Sequence, residues 1–243
     1  MVTGGQGVLG QEVMAAATSR GHDVTSASRR TGVDLRTGEG LTAALDGVDA
    51  VVHCATSPRD SRSVDIGGTR HLVEAVGPDT HIVYVSIVGV DVTPYSYYHA
   101  KLSAEKLLAE ASVSSTVVRA TQFHSFAAFM ARRLMRGPLV VTTGNLRTQS
   151  VDVAWVAGRM VDYAVGAAPS GPIRATDLAG PDVLRMPEIA AKLRAHDGAS
   201  APRVLRIPPV GAAMKAFASG SILPGDKVEI GGSTFDEWLA TQN

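Results

Sequence analysis

The chain has 243 residues, enough to enclose a sizeable apolar core as one large domain or as a domain with a small lobe. Its 23 Lys and Arg residues balance 23 Asp and Glu residues, so no net charge draws it to nucleic acid or an anionic membrane, and a small-molecule partner is expected. No apolar stretch approaches the roughly 20 residues of a membrane-spanning helix, the start lacks a basic-then-apolar leader pattern, and the single cysteine, Cys54, sits in the apolar run DAVVHCAT; a buried thiol in a reducing cytoplasm is expected.

The chain opens MVTGGQGVLG, a strand stub of Met1 to Thr3 followed by Gly4, Gly7 and Gly10. That spacing suits a tight turn, a close approach of backbone to a pyrophosphate and a close contact of helix with strand. So short a stub means either a short central strand or a natural start further upstream. The glycines act through backbone shape at the strand's carboxyl end, so binding is expected in both cases. A helix follows, with Leu9, Val13, Ala16 and Ala17 on one face. Its N-terminus would present N–H groups and a favourable dipole to a phosphate.

HDVTSAS (22–28) then reads as a second strand. At its end a carboxylate would accept from the ribose of NAD, whereas the sequence reads Ser28, Arg29, Arg30. Guanidinium groups bond a 2′-phosphate, so NADP is expected in preference to NAD. Asp34 and Leu35, in GVDL, are placed to meet the adenine. DAVVHCA (49–55), HIVYVSIVG (81–89) and SSTVVRA (114–120) read as further strands, and Ala100, Ala104, Leu107, Leu108 and Ala111 mark a helix between the last two. Strand and helix in alternation imply a parallel sheet covered on both faces. At the end of the last strand Thr121, Gln122 and Phe123 would line the ligand crevice beside the nicotinamide, and His124 is either a proton donor or a packed residue. Beyond about Ala120 the rhythm loosens, with helical stretches near VDVAWVAGRMVDYAV, MPEIAAKLRAHDG and TFDEWLATQ and strand-like PLVVTTGN and RVLRIP.

In the order TGGQGVLG, VDL, HCAT, DIGGTRHLVEAV, VSIVG and YYHAK, the chain resembles the short-chain dehydrogenase/reductase superfamily over almost its whole length, most closely its atypical, extended-like branch. The resemblance implies a doubly wound parallel α/β sheet of Rossmann type over residues 1–165, and a small C-terminal substrate lobe, residues 166–243, packed on the sheet's carboxyl edge, with segment 126–150 crossing to the lobe. It also implies a cofactor site of Thr3, Gly4, Gly7, Val8, Leu9 and Gly10 at the turn, Ser28, Arg29, Arg30, Asp34 and Leu35 on the adenosine side, Ala55 and Thr56 after the third strand, and Lys101 at the nicotinamide ribose.

The chemistry rests on PYSYYHAK. Of its tyrosines, Tyr97 lies four residues before Lys101, so the two share a helical face. An ammonium near a phenol favours the phenolate and suits Tyr97 to proton transfer with a carbonyl or alcohol oxygen. The strand before it departs from the family pattern: Ile87 and Val88 stand where a serine hydroxyl usually meets the substrate, leaving Ser86 as the remaining hydroxyl. The expected function is an NADP-dependent oxidoreductase acting on a small carbonyl, quinone or enone. Two further readings stay open, a cofactor-binding sensor or assembly protein with little turnover and a sugar-nucleotide epimerase or dehydratase. No metal-ligand cluster stands out, and monomer and homodimer are both compatible with the sequence.

Overall fold

A computed structural model describes residues 1–242. They form two compact units. The first comprises Met1–Ile87, Ser96–Arg119 and Val156–Thr176; the second comprises Val88–Tyr95, Ala120–Trp155 and the chain from Asp177 onwards.

In chain order the elements begin with β1 (Val2–Thr3), α1 (Val8–Ser19), β2 (Ser26–Ala27), a short α2 (Leu41–Ala44) and β3 (Ala50–His53). A π-helical turn, Arg62–Gly67, leads into α3 (Gly68–Ala75), followed by β4 (His81–Ile87), α4 (Ser96–Glu110) and β5 (Ser115–Ala120). Next come α5 (His124–Leu134), β6 (Met135–Arg136), β7 (Leu139–Thr143), β8 (Arg147–Thr148), α6 (Val153–Val165) and β9 (Pro172–Arg174). The last are β10 (Asp177–Ala179), β11 (Leu184–Arg185), α7 (Met186–His196), β12 (Arg203–Ile207), α8 (Ala212–Ser219), β13 (Val228–Ile230) and α9 (Phe235–Ala240).

The first unit is a Rossmann-type sheet in the order β9-β5-β4-β3-β1-β2. Strand β1 runs parallel to both β2 and β3, β3 to β4, and β9 to β5. Val51, Ile82, Val83, Tyr84 and Val118 are fully buried, as expected where both faces of a parallel sheet are covered and the strands read as continuous apolar runs. Helix α1 turns Leu9, Val13 and Ala17 inward and α4 turns Ala100, Ala104 and Leu108 inward, the one-turn spacing of an amphipathic face. Arg119 on β5 donates two hydrogen bonds, at 2.9 and 2.7 Å, to the Glu105 carboxylate of α4, and both residues are buried. Strand β2 is shorter than the stretch 22–28 suggests. It pairs only with β1, whose two residues register Val2 with Ser26 and Thr3 with Ala27, so its ladder can be no longer than its partner's.

In the second unit β10 lies parallel to β13, and its Leu178 pairs with Ala120. Strand β7 runs parallel to β12 and antiparallel to β6, and β11 pairs antiparallel with β8. The core of this unit is Ala127, Ala128, Ala131, Ile189, Ala190, Leu193, Phe235 and Leu239 from α5, α7 and α9. Helix α9 starts on a capping box. The Glu237 N–H donates to Thr234 Oγ1 at 3.2 Å, and the Thr234 N–H donates back to Glu237 Oε2 at 2.8 Å. Among the described residues no helix is long and apolar enough to cross a membrane.

Candidate functional site

From β1 the chain steps outward to β2 and then returns across β1 to β3. The carboxyl ends of β1 and β3 therefore flank a topological switch point, where open α/β sheets bind ligands. Gly4 follows β1 there with φ +66°, and a Cβ on it would lie 2.7 Å from the Ala55 backbone just past β3. Only glycine satisfies both constraints. At Gly10 a Cβ would run into the Gly4 carbonyl, so the first turn of α1 packs directly on the glycine turn. Gly7 caps α1 with no side-chain bond, and the first intrahelical bond, Gln11 N–H to Gly7 O, spans 3.0 Å. The amides of Val8, Leu9 and Gly10 precede it, as in any helix start. Such a cradle of glycine backbone at a helix N-terminus fits a dinucleotide pyrophosphate.

A chain of hydrogen bonds ties this turn to the helix entry opposite. Buried His53, at the end of β3, meets Thr3 Oγ1 through Nδ1 at 2.6 Å and Thr69 Oγ1 through Nε2 at 3.1 Å. Thr69 gives its own hydrogen to the Asp65 carbonyl at 2.5 Å, so the imidazole must donate from Nε2 and accept at Nδ1. Burial, with the Lys101 charge nearby, pushes His53 down to about 3; the ring is neutral. Neighbouring Cys54 is buried and its thiol is pushed up to about 12 by the same desolvation.

Asp65 lies on the π-helical turn, fully buried, and π-turns inside helices recur at functional sites. Its Oδ1 accepts from Thr56 Oγ1 at 2.6 Å and its Oδ2 from the Ser57 N–H at 3.0 Å. Lys101 Nζ stands 3.7 Å from Oδ1 and 4.2 Å from the centroid of the Tyr84 ring, and is only 2 % exposed. Burial lowers the lysine from its ordinary value while Asp65 opposes the shift. The Tyr97 hydroxyl is 2.7 Å from Thr56 Oγ1. Tyr97, Thr56, Asp65 and Lys101 thus form one connected cluster. Within DIGGTRHLVEAV no local spacing marks Asp65 as a site residue, because its lysine partner lies 36 residues further on.

Ser28 opens a 3₁₀ turn, Arg29–Thr31, on which Arg29 and Arg30 are exposed. Asp34 is paired with Arg36, whose guanidinium and backbone N–H hold its carboxyl down at about 2. Leu35 is buried in the apolar core of the first unit. Ser86 Oγ is buried with no hydrogen-bond partner among the described residues. In the second unit, Thr121 Oγ1 donates to the Gln149 carbonyl at 2.6 Å, Gln122 accepts from Thr148 at 3.0 Å, and Phe123 bridges Val151. His124 is buried between Ser150 Oγ at 2.8 Å and the Ser233 carbonyl at 3.0 Å, against the rings of Phe235 and Trp238. Both of its nitrogens are engaged in packing the second unit. Among the described residues no group of His, Cys, Asp or Glu could hold a metal ion.

A parallel α/β sheet with a glycine turn at its switch point defines the class of dinucleotide-binding Rossmann proteins. Residues 1–129 match the NAD dependent epimerase/dehydratase family, and the chain belongs to that family. Its fold is similar to that of the NADPH-dependent quinone oxidoreductase of Escherichia coli complexed with NADPH, with a TM-score of 0.77, 17% identity and 98% of both chains covered. A nucleoside-diphosphate-sugar epimerase of Staphylococcus aureus gives the same TM-score and coverage at 19% identity. The UDP-glucose 4-epimerase of Thermotoga maritima with UDP-glucose follows at 0.67 and 17%, covering 98% of this chain and 91% of that one. At such identities the likeness is one of fold. An uncharacterized protein of Mycobacterium tuberculosis is 30% identical over 86 residues, 31% of this chain and 10% of that protein. The match therefore spans about a tenth of the length of the curated relatives.

Proposed function

We propose that the chain is an NADP-dependent oxidoreductase that passes a hydride between nicotinamide and a small carbonyl, quinone or enone. The observation that carries this reading is the Tyr97–Thr56–Asp65–Lys101 cluster, built in the same unit as the glycine turn. A nicotinamide dinucleotide held at that turn would supply the hydride. The chain's own residues do the rest. Amides of Val8 to Gly10 bind the pyrophosphate, and Arg29 and Arg30 answer a 2′-phosphate. Tyr97 delivers a proton to the substrate oxygen, and Lys101 bonds the nicotinamide ribose. Ser86, with its unsatisfied hydroxyl, supplies a further hydrogen bond to a bound ligand.

The test is NADPH consumption by the purified protein with menadione and a panel of aldehydes. Tyr97→Phe is expected to lower kcat by about a hundredfold or more; an unchanged rate overturns the mechanism. Two observations each support another reading. The family match supports sugar-nucleotide epimerisation, which would interconvert a UDP-hexose with no net use of NADPH. The apolar Ile87 and Val88 support a cofactor-binding sensor, which would bind NADPH yet turn over none of these substrates.

A further inference from the structure

We propose that Thr56 and Asp65 form a hydrogen-bond latch behind Tyr97 that keeps the phenol protonated and so sets the site for reduction rather than for oxidation. The proposal rests on the reading of Tyr97 as the proton-transfer group. Thr56 has one hydroxyl hydrogen, and that hydrogen is committed to Asp65 Oδ1 at 2.6 Å. In the 2.7 Å contact between Thr56 and Tyr97 the phenol must therefore be the donor. A Tyr97 phenolate would instead face a lone pair of Thr56 with a carboxylate directly behind it. Hydrogen bonding that suits only the neutral form of a group disfavours its charged form.

The lysine does not undo this. Its ammonium lies 3.7 Å from Asp65 Oδ1, so a buried carboxylate answers its charge. Around the cluster, His53 is neutral, the Cys54 thiol and the Tyr84 phenol are held in their protonated forms by burial, and Glu105 is engaged by Arg119. Tyr98, the next residue of α4, has its ring 6.3 Å from that of Tyr97. Arg62, Arg70 and His99 line an open groove of about 560 Å³ whose walls do not include Thr56, Asp65 or Tyr97. Asp65 stands behind the phenol through Thr56, and Lys101 stands against Asp65.

The balance of the step is simple. A reduced nicotinamide held at the glycine turn would supply the hydride, losing a C–H bond and becoming oxidised; as the new C–H bond forms at the carbonyl carbon the π pair moves to oxygen, and the Tyr97 O–H bond breaks as the new O–H bond forms. Thr56 then turns its hydrogen from Asp65 towards the phenolate until a water proton restores the phenol, which the exposure of Thr56 allows. Thr56 and Asp65 act through Tyr97 and are positioning residues.

Two measurements on the whole protein test the latch. The first is the near-ultraviolet tyrosinate titration of the protein alone, with the Tyr97 component isolated by subtracting the curve of Tyr97→Phe. Thr56→Val, which keeps the shape and loses the hydroxyl, is expected to move that component about one pH unit lower. The second is the pH profile of menadione reduction by NADPH. There the alkaline limb of Thr56→Val should move down in the same sense, with kcat about tenfold lower and KM changed less than about twofold. Thr56→Ser should recover most of both effects. Asp65→Asn should move the titration in the same direction as Thr56→Val; if it does not fold, as a thermal melt will tell, the two Thr56 variants decide alone. Coincident titrations of wild type and Thr56→Val overturn the latch even where Tyr97→Phe is inactive. A fully active Tyr97→Phe overturns the underlying reading instead.

Discussion

An imidazole sealed between two threonines has no room for a second proton, and the stability of the protein should register that. His53 is neutral down to about 3, whereas in the unfolded chain it takes up a proton near 6.5. Between those values the unfolded state binds the extra proton, so unfolding free energy rises with pH and falls on acidification. Well below pH 6.5 the slope from this residue is about 1.4 kcal/mol per pH unit. Urea titrations between neutral pH and about pH 4.5 should show it, and His53→Gln, which cannot charge, should lack that part of the slope. Equal slopes would remove His53 from the explanation. Past the edge strand β2, Arg29 is exposed and Asp34 is already paired with Arg36. Arg29→Ala should weaken NADPH binding by about tenfold, the value of one charge-assisted bond, and leave NADH nearly unchanged. Fluorescence titration with both cofactors checks it, and equal losses would sink the 2′-phosphate assignment.

At the scale of elements, two junctions hold the first unit. One is the contact of α1 with the glycine turn: Gly10→Ala would drive a methyl group into the Gly4 carbonyl. It should cost about 2 kcal/mol or more and abolish detectable NADPH binding, readable by denaturant midpoint and by fluorescence. The other is the pair Arg119 and Glu105 between β5 and α4. Glu105→Gln should destabilise by about 3 kcal/mol because it removes the negative charge that faces a buried guanidinium, while replacing both residues by apolar ones of similar volume should recover most of that loss. These junctions also explain what could be read in the sequence. Strands β3, β4 and β5 were legible because both of their faces are buried, so β-branched residues run without interruption. The α4 face was legible because Tyr97 and Lys101 sit one turn apart. The π-helical turn was not: SRSVDIGG has no apolar period, and what shapes it is the burial of Asp65 against Thr56, Ser57 and Lys101. Half of the cluster around Tyr97 thus depends on through-space partners that no spacing encodes. The small strands β6, β8, β9, β10, β11 and β13, of two or three residues each, escape for a related reason, since a ladder so short leaves no periodic trace.

For the molecule as a whole, each unit is assembled from three separate stretches of chain, so neither is a simple sequence module that could be excised at one boundary. Cofactor binding offers a global readout. A ligand at about a hundred times its Kd adds about 2.7 kcal/mol to a folded state that alone binds it. For a chain of this length that is a rise of about 5–10 °C in the melting temperature. NADPH should produce it, and NADH at the same concentration should produce clearly less; no shift with either would contradict the dinucleotide reading. The lone thiol has a use of a different kind. Cys54 sits at the carboxyl end of β3, one residue before the backbone that Gly4 touches, and in the folded state it is both hidden and un-ionised. Iodoacetamide can reach it only when that end of the strand lets go. Each molecule therefore carries a single built-in stopwatch, and the rate of its alkylation, with and without cofactor, times the opening of the site itself.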